Sequence, residues 1–228
     1  MPRKARIVVP GLAHHITQRG NYQSYIFTRE ADYRKYCYWY RKYAWKYKVQ
    51  TLAYCLMGNH VHFIVVPEEQ NSLARLFNTV HMRYSQYKNL ESKRKGHLWQ
   101  GRFFSCILSQ GHLYRAARYV EMNPVRARMV RYPWDYTWSS TRQHLRLEKT
   151  PIIPTTNTQS VLAVYQRTKD WKEYLLEEDP EMEKEIRRKT YKGLALGEES
   201  FIIKLEKKFG CRLREKKMGR PKKVGAVP

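Results

Sequence analysis

Acidic side chains are scarce in this 228-residue chain: 20 Asp and Glu stand against 44 Lys and Arg, a formal net charge of +24. A surplus of that size repels itself in a compact chain unless a polyanion is the partner. Nucleic acid leads, ahead of an anionic membrane surface. Long apolar runs are lacking too. Nothing approaches the roughly 18–20 residues of a spanning helix, and the longest stretch, Val61 to Val66, is broken by His62. Met1-Pro2-Arg3-Lys4 opens the chain without the apolar core of a signal peptide. The four cysteines (Cys37, Cys55, Cys106, Cys211) lie far apart with no Cys-x-x-Cys pair, against a zinc ribbon or a disulfide framework. These absences predict a soluble, cytoplasmic protein with no membrane partner.

What is present supports a real core. Hydrophobic residues make up 42% and aromatics 14%, which excludes disorder over the whole length. Residues 1–150 hold 26 of the basic and 8 of the acidic residues, and 15 of the 18 tyrosines. The two prolines of Thr150-Pro151-Ile152-Ile153-Pro154 then interrupt any regular pattern. The expected organisation is a catalytic-type body over 1–148, a linker over 149–158, and a helical extension over 159–228 ending in a basic tail.

Strands and helices alternate in the body. Ala13 to Gln18 reads as a strand, and Arg19-Gly20-Asn21 as the turn after it. A helix follows from about Arg29 to Tyr47, its aromatic positions recurring at helical spacing. Val49 to Met57 and His60 to Val66 are β-rich runs separated by Gly58-Asn59, a hairpin signal. Ser72 to Asn89 is a second helix, Leu98 to Leu108 a further strand, and Gly111 to Met122 a third helix. The order predicts an α+β fold, an antiparallel sheet with helices on one face. In the extension, Gln159 to Lys189 is mostly helical, Gly193 to Gly197 a turn, and Glu198 to Phe209 a short helix.

Two segments carry chemistry. In His60-Val61-His62-Phe63-Ile64-Val65-Val66, strand alternation points both histidines the same way, with Cα atoms about 6.6–7 Å apart. Two imidazoles at that spacing can converge on a divalent ion, or each can simply hydrogen-bond on a solvated face. In Tyr119-Val120-Glu121-Met122-Asn123-Pro124, the helix should end or kink before the proline. Tyr119 and Asn123 share a helix face one turn apart. They suit a packing tyrosine and a helix stop, or a nucleophile beside a metal-ligating amide. Glu121 reads as a solvated helix residue or an extra carboxylate near a metal. Tyr114, five residues before Tyr119, falls roughly 140° off the Asn123-bearing face.

Together these segments resemble a known family. His60-Val61-His62 fits the His-hydrophobic-His (HUH) motif, and Tyr119 to Asn123, continuing through Pro124-Val125-Arg126-Ala127, is similar to the tyrosine helix of the single-tyrosine transposases. His15-Ile16-Thr17-Gln18-Arg19-Gly20-Asn21, Trp99-Gln100-Gly101-Arg102-Phe103 and Tyr136-Thr137-Trp138-Ser139-Ser140 look like hallmarks of the REP-associated tyrosine transposases. The resemblance implies an HUH-type (ferredoxin/RRM-like) sheet and a metal-dependent endonuclease and strand transferase acting on single-stranded, hairpin-associated DNA. Tyr119 would be the nucleophile, leaving a 5′-phosphotyrosine and a free 3′-hydroxyl. His60, His62 and Asn123 would hold Mg²⁺ or Mn²⁺. Either a monomer or a homodimer is consistent with it.

A single-strand binder needs basic grooves and stacking surfaces. Arg3, Lys4, Arg6, Arg19, Asn21 and Arg102 are candidates in the body, and Arg220 in the Gly219-Arg220-Pro221 tail, as a minor-groove hook or a phosphate contact. Two rivals stand beside the transposase: an HUH replication initiator or relaxase, and a non-catalytic nucleic-acid-binding module with a vestigial site.

Overall fold

The computed structural model describes residues 6–156 and 170–215. Strand β1 (His14–Arg19) lies at the centre of a five-stranded sheet. It pairs antiparallel with β3 (His60–Pro67) on one side and with β4 (Phe104–Leu108) on the other. Outside β3 runs β2 (Val49–Met57), also antiparallel, and outside β4 runs the short β5 (Ala195–Leu196), parallel. The order is β2-β3-β1-β4-β5. The hairpin turns at Gly58-Asn59, with Met57 opposite His60. A Cβ on Gly58 would sit 2.7 Å from the Tyr25 ring, so a larger residue there would have to displace that tyrosine.

Alternation along β3 divides the molecule into two cores. Val61, Phe63 and Val65 pack against helix α1 (Glu30–Lys46) and helix α2 (Ser72–Glu91), with the Tyr40 ring stacked on Phe63 at 4.3 Å. Asp32 pins the first turn of α1. Burial alone would raise its carboxyl, but Lys88 Nζ at 2.9 Å and the amides of Thr28 and Arg29 donate to it and hold it below the ordinary carboxylate range. Tyr36, Tyr40 and Tyr43 of α1 are thus packing residues, while Tyr38 and Trp45 face solvent.

The expectation of helices on one face is corrected. Ile64, Ala53 and Cys55 pack on the opposite side against Ala116, Ala117 and Val120 of helix α3 (Gln110–Glu121). Strands β2 and β3 are apolar nearly throughout and buried on both sides, so each face needs its own helical cover. The sheet is likewise mixed, because β5 falls inside the stretch expected as a turn. The fourth strand is shorter than expected, starting at Phe104 because Gly101 turns the chain at φ +76. Trp99 still bridges Gly20.

After α3 come helix α4 (Asn123–Arg126) and helix α5 (Thr141–His144). Pro151 to Thr156 lies on the body: Ile153 is buried in the α1–α2 core, and the Thr156 amide donates to Thr51 O at 2.8 Å. The described part of the extension holds α6 (Trp171–Leu176), α7 (Pro180–Lys192) and α8 (Glu199–Phe209). Asp179 caps α7 by accepting from the Met182 amide at 3.2 Å. Helix α7 packs against β4 and α3, while Ile202, Leu205 and Leu213 form a third cluster with Ile107 and Ala195. Among the described residues no helix is long and apolar enough to cross a membrane. Arg3, Lys4, the end of the expected linker and the tail with Arg220 lie outside the described residues.

Candidate active site

The face of the sheet under α3 and α7 gathers the sequence-predicted residues. Paired positions in the ladder share a face, so β1 aligns Arg19 with His60 and Thr17 with His62. The His60 and His62 rings lie 4.9 Å apart and nearly perpendicular. From the last turn of α3, the buried Tyr119 ring meets His62 edge-on at 5.6 Å and His15 at the same distance. The helix ends at Glu121 and Asn123 opens α4, the break expected before Pro124. The Asn123 amide Nδ2 folds back to donate to Tyr119 O at 2.9 Å and Val120 O at 3.1 Å.

Hydrogen-bond direction decides which atoms keep lone pairs. Asn59 Nδ2 donates to Gln23 O at 3.2 Å, so its Oδ1 faces His60 and can only accept. His60 Nδ1, 2.5 Å from that oxygen, therefore carries the proton, and Nε2 is bare. Both amide hydrogens of Asn123 go to carbonyls, leaving Oδ1 as its remaining polar atom. Burial, then the nearby Arg19 and Arg187 charges, push the His60 imidazole down to about 4. Burial, then His60 and His15, hold His62 well below the ordinary histidine range. Neutral imidazoles and an amide oxygen form a donor set that can hold a divalent cation, with open positions left for phosphate oxygens. Among the described residues no group of three or more His, Cys, Asp or Glu is arranged to hold a metal.

Three cationic and anionic groups surround the tyrosine. The Arg126 guanidinium lies 4.4 Å over the Tyr119 ring, and Glu183 holds Arg126 at 2.9 Å. Arg187 hydrogen-bonds the Tyr119 side chain, which raises the already high Arg187 value. His15 and Arg126 lie in motifs quoted from the sequence but were given no role there, and Arg187 and Thr190 were not singled out at all. For His15 a signal existed, since period-two alternation in β1 sets it on the face of Thr17 and Arg19. The α7 residues had none, being distant in sequence from everything they touch.

Glu121 is neither solvated nor beside the histidines. It is fully buried, accepting from Ser140 Oγ at 2.5 Å and Trp171 Nε1 at 3.0 Å, with His144 Nδ1 at 2.5 Å from the same carboxylate. It ties α3 to α5 and α6. Arg19 and Arg102 line a groove of about 1060 Å³ together with Arg6, Lys192, Arg212 and Arg214. Burial, then the nearby Arg102 charge, lower Arg6 to about 10. Tyr191 lies 42% exposed on this groove. Asn21 opens a 3₁₀ turn after β1, held by its amide to Leu98 O at 2.8 Å. Beside it Tyr22 and Tyr25 stand 91% and 72% exposed.

A paired-histidine strand thus faces a tyrosine helix on an α+β sheet that also carries a cationic groove. The sequence profile of the IS200-like transposases matches residues 8–123, just over half of the chain, and the protein belongs to that family. Among solved structures, a REP-associated tyrosine transposase bound to a REP hairpin has the same fold. It aligns with a TM-score of 0.55 at 19% identity, covering 69% of this chain and 93% of that one. A transposase candidate from Deinococcus radiodurans R1 aligns with a TM-score of 0.36 at 21% identity, over 53% of this chain and 96% of that one. No curated protein sequence matches the chain at a significant level.

Proposed function

We propose that this transposase is of the REP-associated tyrosine type: a metal-dependent endonuclease and strand transferase that cuts single-stranded DNA beside a hairpin. The observation that carries the reading is the His62 ring of β3, 5.6 Å from the Tyr119 ring of α3 and 4.9 Å from the His60 ring. Tyr119 attacks the phosphorus. A bond forms from its phenolic oxygen to phosphorus, the bond to the 3′-oxygen breaks, the phenolic proton leaves, and the 3′-oxygen takes one up. The products are a 5′-phosphotyrosine and a 3′-hydroxyl. Attack by a 3′-hydroxyl on the phosphotyrosine reverses the step and joins strands.

A phenol is a weak nucleophile near neutral pH. Arg187, bonded to Tyr119, and Arg126, over its ring, keep the tyrosine in place. Mg²⁺ or Mn²⁺, held by His60, His62 and Asn123, would polarise the scissile phosphate. The two imidazoles suit Mn²⁺ at least as well as Mg²⁺. The groove with Arg19 and Arg102 would take the phosphate backbone, and the exposed Tyr22 and Tyr25 would stack bases at about 1–3 kcal/mol each. Arg220 in the tail would add a further DNA contact.

The test is cleavage of a labelled pool of single-stranded hairpins with Mn²⁺ and with EDTA. Wild type should cut only with the metal and leave 3′-hydroxyl ends, and Tyr119→Phe should bind the pool but not cut it. Binding without cleavage by wild type would favour the vestigial module instead.

A further inference from the structure

Helix α7 begins well beyond the region that matches the family, yet one of its faces meets the site at three points. Glu183 holds Arg126, Arg187 bonds Tyr119, and Thr190 bonds His15. Spacings of four and three residues set these side chains in one row along a helix. Only Thr190 reaches the histidines. Its hydroxyl lies 2.7 Å from His15 Nδ1, and His15 Nε2 lies 2.9 Å from His62 Nδ1. Thr190, His15 and His62 are all buried.

We propose that helix α7 is a positioning element of the active site, and that Thr190, acting through His15, fixes the tautomer in which His62 leaves Nε2 bare. The direction of the chain follows from its last member. The Ile186 carbonyl can only accept, and the Thr190 hydroxyl gives it its one proton, at 2.7 Å. Thr190 Oγ1 must then accept from His15, so the His15 proton sits on Nδ1. His15 Nε2, left with a lone pair, accepts from His62 Nδ1. His62 Nε2 is the atom that remains, on the ring that faces His60 and Tyr119. His60 reaches the same tautomer independently through Asn59. Hydrogen bonds behind a ligating histidine set its tautomer and ring orientation, and their loss typically costs roughly 10–100-fold in metal affinity.

The inference rests on the proposed role of His62, but its first readout does not. Nitrogen-15 NMR of the metal-free wild type should find His62 protonated on Nδ1; a proton on Nε2 would overturn the proposal whatever the metal does. Mn²⁺ titration then measures the consequence. Thr190→Val keeps the shape but removes the acceptor, and should give a mixed His62 tautomer with roughly 10-fold weaker Mn²⁺ binding. Thr190→Ser should restore both. A Thr190→Val protein with unchanged tautomer and affinity would overturn the proposal. Should that variant fail to fold, the wild-type spectrum decides alone. A wild type with the expected tautomer and no Mn²⁺ uptake would uphold the chain and remove the metal reading.

Discussion

Both faces of the sheet bury histidine, and they do so differently. Under α1 and α2, His81 Nε2 and the Tyr36 hydroxyl share a hydrogen bond at 3.0 Å and the ring stacks on Trp99 at 4.1 Å, in a core otherwise built from rings and aliphatics. Under α3 and α7, His60 and His62 use Nδ1 for structure and keep Nε2 as a lone-pair atom beside a tyrosine. Burial lowers all three imidazoles alike. A depressed histidine therefore does not mark a site by itself; the mark is which ring nitrogen the neighbours leave over.

The contrast can be broken from either side. On the site face, the paired changes His60→Ala and His62→Ala should lower Mn²⁺-dependent cleavage by more than about 100-fold, read in a hairpin-cutting assay. Undiminished Mn²⁺ activation would remove both residues from the metal. On the packing face, Phe63→Ala should cost about 3–5 kcal/mol in denaturant unfolding, while the protein that stays folded cuts at the wild-type rate. A fall in rate at full folding would mean that the two faces are coupled.

Acid should weaken both faces together. His14 and His60 titrate at about 4 in the fold, and His15 and His81 at about 3, each lowered chiefly by burial. The unfolded value is about 6.5. Above it both states are neutral and the stability is fully present. As pH falls below it, the unfolded chain takes protons that the fold refuses, so stability drops until about pH 4 to 3. Calorimetry should show the unfolding temperature falling steadily from pH 7 to 4; a flat profile would contradict the assigned burial. The smallest effect lies off both faces. Deleting residues 212–228 removes Arg212 and Arg214 from the groove and five further basic residues, and should weaken DNA binding and flatten its salt dependence. An unaltered slope would exclude that segment from the DNA.

The reach of the sequence follows the same division. Strand and hairpin patterns located β1 to β3 closely, and the Asn-Pro pair located the end of α3, because those signals are local. Alternation in β3 brought His60 and His62 to one face. It did not say which face would be covered, and the near-continuous apolar run of β2 and β3, buried on both sides, was the overlooked reason for helices on each. Glu121 was misjudged because its partners Ser140, His144 and Trp171 are 19, 23 and 50 residues away. Thr190 lies 175 residues from His15, and no spacing rule spans that distance. The pairing of Arg126 on α4 with Glu183 on α7, 57 residues apart, was equally invisible until the two helices were seen together on the tyrosine.

The most direct test of the central claim, that Tyr119 on the α3–α7 face is the nucleophile, is to trap the cut DNA on the protein. Labelled single-stranded hairpin DNA, Mn²⁺ and wild-type protein would be run on a denaturing gel, and the shifted band digested with trypsin for mass spectrometry. The account predicts a nucleotide adduct on the peptide Tyr119–Arg126, absent from Tyr119→Phe. An adduct on another tyrosine, or cleavage with no adduct at any stage, would contradict it.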